Sequence, residues 1–291
     1  MFENVLLPTD FSPDSQKVLE YVRDIPGVQK VFLLHVIDAT HASLRGWEHD
    51  PKIENAKILI KENQRALEQA GLVADITIET LVNTIMQGNI PLTILEKAER
   101  EKADLIVMGA RGKNTIENIL LGSVSANVIR HAKTPVLLMR FPTESCSLGS
   151  RPNLFSRILV PLDFSEPSRD ALACLSRIPA PGKVTLLHVV DKGESKEEIQ
   201  AAVGDAKEKL AGITQELAGR GLEAEPVVHV GYPPDEITAT ADRLSATLIL
   251  MSPKGEGWTR ELRSLLLGST TNAVVRRAHR PVLVTAGCIG A

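Results

Sequence analysis

Charge of one sign does not accumulate in this chain. Its 33 Lys and Arg stand against 36 Asp and Glu, a formal charge of −3 over 291 residues. That balance gives no reason to expect nonspecific binding to nucleic acid or to an anionic membrane. No apolar run approaches the roughly 18 residues of a spanning helix, so no membrane partner is expected. Cysteine is scarce: Cys146, Cys174 and Cys288 are odd in number and lack CxxC spacing. They predict free thiols in a reducing compartment, the cytoplasm by default, and no zinc site. Met1-Phe-Glu-Asn leads straight into the strand-like Val5-Leu-Leu7, so no signal peptide is expected. Neither GxxxxGK[ST] nor GxGxxG occurs, which disfavours a P-loop ATPase and a dehydrogenase.

What is present is an ordinary globular composition, with 43% hydrophobic residues, and a length suited to two domains. The chain repeats itself. "VLLPTDFSPDSQKVL" (5–19) matches "ILVPLDFSEPSRDAL" (158–172), with Asp10 facing Asp163. "VFLLHVID" (31–38) matches "VTLLHVVD" (184–191), "LIVMGARG" (105–112) matches "LILMSPKG" (248–255), and "HAKTPVLLM" (131–139) lies against "RAHRPVLVT" (277–285). A period this long is not a solenoid; it is one domain written twice. The expected domains are residues 1–141 and 157–291, joined by a linker over 142–156 that is rich in Pro, Ser and Gly.

Each copy alternates short apolar strands with amphipathic helices. In the first, strands are expected near 4–8, 30–37, 76–82, 104–109 and 135–140, and helices near 13–24, 52–70, 90–102 and 123–132. Ser12 before Pro13, and Ser165 before Glu166-Pro167, are N-cap signatures; Gly71 and Gly221 are C′ glycines. Strands alternating with helices predict an α/β fold: two tandem copies of a five-stranded parallel sheet with helices on both faces.

The stretch that asks for a function is "GARGKNTIENILLGS" (109–123), between an apolar strand and a helix. Ligands of open α/β sheets sit beyond the carboxyl ends of strands, where helix N-termini point. Glycine there lets phosphate oxygens approach backbone N–H groups, and the helix dipole favours an anion. Turn chemistry with Ser123 as N-cap explains any one of these residues, but less readily the whole spacing G-x2-G-x9-G-S.

"LLPTDFS", "LLHVID", "DLIVMGARG" and "GSVSANVIRHAKTPVLL", with their second-copy counterparts, resemble the universal stress proteins of the tandem two-domain kind. The resemblance covers both halves nearly end to end, and 109–123 matches the glycine motif of the family's nucleotide-binding members at every fixed position. It implies a Rossmann-like, adenine nucleotide alpha hydrolase-like fold with ATP or AMP as ligand, and leaves room for magnesium with ATP. Gly109, Gly112, Gly122, Ser123 and Val124 would hold phosphates and ribose, and Asp10 and Val36 would frame the adenine and ribose side. It also implies that the terminal strands "PVLLMR" and "PVLV" pair the two copies as an internal pseudo-dimer; a further homodimer is known for such chains.

Other candidates are weighed residue by residue. Asp10 competes with Ser12 to cap the first helix, and Ser12 is better placed, leaving Asp10 for a ligand. Thr9 is weaker, since Leu162 replaces it. His35 and His188 read as satisfied core histidines; His41, Trp47 and His49 as a solvated loop with a lid as the alternative. Arg111 and Lys113 are balanced between contact with a triphosphate tail and plain solvation. The second copy departs from the motif: Ser252 replaces Gly109, Pro253 follows it, and twelve residues (256–267) separate Gly255 from Gly268, against nine in the first copy. Trp258, Arg260 and Arg263 enter with that longer loop. Asp163, Val189, Gly255, Gly268, Ser269 and Thr270 keep a second site open, weak, altered or empty. The leading function is a nucleotide-binding regulatory or stress-response protein with at most slow hydrolysis. Against it stand an ATP hydrolase or phosphotransferase using the same pocket, and a ligand-free protein–protein scaffold. The motif loops lack paired carboxylates for magnesium and a His placed as base, so fast turnover is not expected.

Overall fold

The computed structural model describes residues 2–38, 51–81, 90–111, 121–141, 153–255 and 267–285. The chain divides into two compact units, Met1–Met139 and Arg140–Ala291.

The first unit runs β1 (Asn4–Pro8), α1 (Pro13–Val22), β2 (Lys30–Asp38), α2 (Pro51–Gln69), β3 (Val73–Leu81), α3 (Ile90–Arg100), β4 (Leu105–Gly109), α4 (Ser123–His131) and β5 (Val136–Met139). Its strands lie in the order β3-β2-β1-β4-β5, all parallel. The second unit repeats this with β6 (Arg157–Pro161), α5 (Glu166–Leu175), β7 (Lys183–Val190), α6 (Lys196–Ala218), β8 (Ala224–Val230), α7 (Pro233–Arg243), β9 (Leu248–Met251), α8 (Ser269–Arg277) and β10 (Val282–Val284). Its order is β8-β7-β6-β9-β10, again parallel. The predicted α/β fold of two tandem parallel sheets is what the chain adopts.

Right-handed crossovers carry α1 and α2 to one face of their sheet and α3 and α4 to the other. Covered on both sides, the central strands carry no polar alternation: Leu105, Ile106 and Val107 are fully buried, as are Val5 and Leu6. Each fully buried Leu or Ile contributes about 1.5–3 kcal/mol relative to exposure. Strand order reverses between β1 and β4, which pair through Val5 with Leu105 and Leu6 with Ile106. Chains leaving those two strands diverge to opposite faces and open a crevice at their carboxyl ends.

Local chemistry sets the boundaries. Ser12 Oγ accepts the Ser15 N–H at 3.2 Å and Ser165 Oγ accepts that of Ser168 at 3.3 Å, with a proline inside the first turn of each helix. Gly71 (φ +84°) and Gly221 (φ +78°) end α2 and α6 in left-handed geometry. At both ends the next residue closes back on the helix, Leu72 N–H to Leu67 O and Leu222 N–H to Leu217 O, as a Schellman turn requires. One boundary moves. β3 begins at Val73, three residues before the apolar stretch suggests, because its ladder with β2 runs from Lys30 opposite Val73.

Candidate functional site

In the first unit the crevice is framed by the β1–α1 turn, the end of β2, and the β4–α4 connection. α4 opens at Gly122, an extended residue (φ −71°, ψ 154°) with no side chain to cap the helix. Gly122 N–H itself bonds Ala110 O at 2.8 Å. The following N–H groups, from Ser123 to Ser125, have no acceptor within the helix. Ser123 is therefore the first helical residue and exposed, not the N-cap that ordinary turn chemistry would make it. The next hydroxyl is turned away: Ser125 Oγ donates to Gly109 O at 2.9 Å, tying the helix to the end of β4. The result is a helix N-terminus with its donors and partial positive charge left open at the switch point.

Asp10, half-buried, stands across the crevice in the β1–α1 turn. Its Oδ1 accepts the Ser12 N–H at 3.0 Å, so its carboxylate also holds the turn and is not reserved for a ligand. Thr9 is buried and internally engaged, with its hydroxyl 3.2 Å from Ser15 Oγ and accepting the Phe11 N–H at 3.1 Å. Val36 is half-buried near the end of β2, and Arg111 half-buried past β4. Gly112, Lys113, His41, Trp47 and His49 lie outside the described residues.

Gly109 has a different reason from the one its motif suggests. A Cβ there would meet Arg111 O at 3.1 Å, with Asp14 and Val18 behind it, so the glycine lets the connection fold back on itself. The second unit makes the same point with a side chain in place. Ser252 is buried and donates its hydroxyl to Lys254 O, the counterpart of Arg111 O, at 2.5 Å. A tight approach has become a hydrogen bond, and the serine does not fill the crevice. The scaffold around it is unchanged: Gly268 N–H bonds Pro253 O at 2.8 Å, and Thr271 Oγ1 donates to Ser252 O at 2.9 Å. α8 opens at Gly268 with no side-chain cap, leaving Ser269 exposed and Thr270 half-buried in its first turn. Gly255 lies close to the Asp163 carboxylate, which would have to shift to admit a Cβ there. Asp163 Oδ1 takes the Ser165 N–H at 3.0 Å and its hydroxyl at 2.5 Å.

The second crevice is a cavity of about 710 Å³ that brings together Asp163, Val189, Gly255, Gly268, Ser269 and Thr270. That volume suits a drug-sized or nucleotide-sized ligand, for which sites run from about 300 to 1,000 Å³. Trp258, Arg260 and Arg263 lie outside the described residues. Among the described residues, no three His, Cys, Asp or Glu side chains are grouped to hold a metal ion.

Sequence reasoning missed one feature that both units share. Phe11 (φ +57°) and Phe164 (φ +64°) occupy the left-handed region, which a bulky side chain rarely adopts. Each lies against the histidine at the end of the neighbouring strand: Phe11 on His35 at 4.4 Å between centroids, Phe164 on His188 at 4.3 Å. Those histidines are satisfied, with Nδ1 donating to Thr9 O and to Leu162 O at 2.7 Å in each case. The signal was in the repeated Asp-Phe-Ser triplet: Asp and Ser close the turn, and Phe sits between them.

The profile of the universal stress protein family matches residues 1–140 and, again, 154–286. The chain belongs to the universal stress protein family. A universal stress protein of Methanocaldococcus jannaschii is 32% identical over 163 residues, 48% of this chain and 96% of its own length. It corresponds to one copy. A universal stress protein of Mycolicibacterium smegmatis is 25% identical over 313 residues, covering 96% of each chain. The crystal structure of a universal stress protein from Archaeoglobus fulgidus agrees with a TM-score of 0.72 at 28% identity, covering 98% of this chain and 97% of that one. The tandem arrangement is thus shared by full-length relatives. Among the described residues, no helix of this universal stress protein is long and apolar enough to cross a membrane.

Proposed function

We propose that this universal stress protein binds an adenine nucleotide, ATP or AMP, in the crevice of its first unit and acts as a nucleotide-responsive regulator in a stress response. The observation that carries the reading is the open N-terminus of α4: Gly122 caps it without a side chain, and Ser125 turns its hydroxyl back to Gly109. Phosphate oxygens would take the N–H groups of Ser123 and Val124, with Arg111 beside them. Asp10 and Val36 would face the ribose and adenine. The described residues offer no grouped metal ligands, and His35 already spends Nδ1 on Thr9 O, so the chemistry supported best is binding with slow hydrolysis at most. The second unit carries an altered site built from the same scaffold. We further infer a cytoplasmic location, from three cysteines, an odd number without CxxC spacing, which fits a reducing compartment.

The test is direct: denature the purified protein and identify any released nucleotide by mass spectrometry. Recovery of an adenine nucleotide in stoichiometric amount supports the reading. An empty protein that also fails to bind added ATP or AMP in calorimetry overturns it. The apolar terminal strands 135–140 and 281–284 support an internal pseudo-dimer of the two units. Solution scattering from two independently tumbling bodies would contradict that arrangement.

A further inference from the structure

The second unit has a space beside its crevice. Between α5 and α6 runs a groove of about 770 Å³ whose floor includes Leu172, Ala173, Gly212 and Ile213. Phe164, Asp205 and Lys209 line both this groove and the 710 Å³ crevice, so the two spaces adjoin at those residues. Lys209 holds its ammonium 5.3 Å from the Phe164 ring centroid. Among the described residues it forms no ion pair, and neither does Arg169 further along the groove.

The first unit carries different residues at the corresponding positions. Buried positions fix the register of the two long helices: Ala56 with Ala206, Ile60 with Leu210, Leu67 with Leu217. In that register Leu59 stands for Lys209, Glu62 for Gly212 and Asn63 for Ile213; on the shorter helices Gln16 stands for Arg169 and Glu20 for Ala173. Glu62 and Glu20 are therefore replaced by a glycine and an alanine, and Leu59 and Gln16 by two cations. Asp205, Glu208 and Glu216 stand where the first unit has Asn55, Ile58 and Ala66, Glu216 being paired with Arg220. Gly212 has no packing reason of its own, because a Cβ there meets nothing within 4 Å. Glycine inside a helix weakens it, and at 212 it leaves the groove wall without a side chain.

We infer that in the second unit the crevice continues past Phe164 into the α5–α6 groove, and that this unit takes an adenine nucleotide whose phosphate carries a second, partly apolar arm. This rests on the nucleotide reading given above for the crevice scaffold. The nucleotide occupies the crevice at the N-terminus of α8. The arm crosses beside Phe164 and Lys209 and lies on Leu172, Ala173 and Ile213, with Arg169 and Lys209 taking its anionic or polar groups. Phe164 is held in the left-handed region at the junction, where strain is stored at switchable and ligand-clamping positions.

The experiment compares AMP with dephospho-coenzyme A, which is AMP bearing such an arm, on the intact chain. Calorimetry gives affinity, and amide hydrogen exchange over residues 205–220 reports the groove. Expected is binding of the arm-bearing probe on the order of tenfold tighter than AMP at one site per chain, with protection of 205–220 by that probe alone. Gly212→Glu, which restores the side chain of the first unit and favours the helix, should erase the gain and the protection while leaving AMP affinity unchanged. AMP binding with no gain from the arm, or a gain that survives Gly212→Glu, overturns the extended site and keeps the nucleotide reading. Arm-dependent binding lost in Gly212→Glu, with no AMP binding anywhere, keeps the groove and overturns the nucleotide reading. Failure of both probes to bind overturns both.

Discussion

The two units share strand order, helix caps, Schellman turns and the left-handed phenylalanine, yet their crevices differ at one glycine and in the length of one loop. What the difference teaches concerns the glycines. Gly109 and Ser252 do the same work by different means, since the carbonyl two residues on is approached closely in one unit and hydrogen-bonded in the other. The loop around the missing glycine of the motif therefore keeps its backbone hydrogen bonds with the serine in place. The features both units keep are the uncapped N-termini of α4 and α8 and the Asp-Phe-Ser turn opposite them. The features that diverge are the β9–α8 loop and the α5–α6 groove.

The comparison breaks most readily at the helix N-termini. Gly122→Asp places a carboxylate among the donors of α4, and ATP affinity of the intact chain should fall at least tenfold, about 1.4 kcal/mol or more. Calorimetry showing unchanged affinity would remove the first unit's site. Gly268→Asp should leave that tight site untouched and affect a second, weaker one; two equal tight sites would mean that the units do not differ in binding.

A somewhat smaller effect should be equal on the two sides. Ser12→Ala and Ser165→Ala each remove an N-cap bond to the residue three on, and each should lose roughly 1 kcal/mol of unfolding free energy. Chemical denaturation of the two variants measures this. A loss in only one unit would show that the turns are not equivalent.

Ser252→Gly sharpens the comparison from the other direction. Because Gly268 N–H to Pro253 O and Thr271 Oγ1 to Ser252 O hold the loop with the serine in place, restoring the glycine should change second-site affinity by less than about threefold, or roughly 0.6 kcal/mol. A gain of tenfold or more in calorimetry would show that the serine does block the site.

The smallest effect concerns pH, and belongs to the second unit. Burial would raise the Asp242 carboxyl, but hydrogen bonds from His279 and Arg280, and their charge, outweigh it and hold the group below the usual carboxylate range. A depressed folded-state value stabilises above the unfolded value and is lost as pH falls through the folded one. Asp242→Asn should flatten the acid side of the stability profile below about pH 4 by less than 1 kcal/mol, since the pair is largely exposed. Acid titration of thermal stability against wild type decides it.

Much of this was legible in the residues. The 153-position repeat, the proline and serine at helix starts and the glycines after α2 and α6 are local signals, because cap and turn geometry depends on a few neighbouring residues. Continuous apolar strands revealed burial on both faces, and the satisfied role of His35 and His188 was read correctly from their place at strand ends. The candidate site was only partly readable. Asp10 and Asp163 bond their own turns, and the spacing of the glycines did not say whether they face a ligand or a neighbouring carbonyl.

The sequence by itself therefore determined the class of fold, its duplication and the helix starts and stops set by caps, since those follow from periodicity and capping within a short stretch of chain, whereas the start of β3 was set by its pairing with β2. Tertiary structure alone decided that Ser252 can hydrogen-bond the carbonyl that Gly109 approaches in the first unit, that Gly255 lies against the Asp163 carboxylate, and that Gly212 lines a groove between α5 and α6. Each of these turns on which atoms meet across a crevice or between two helices. Such contacts join residues far apart in the chain, where neither spacing nor residue type records the distance between them.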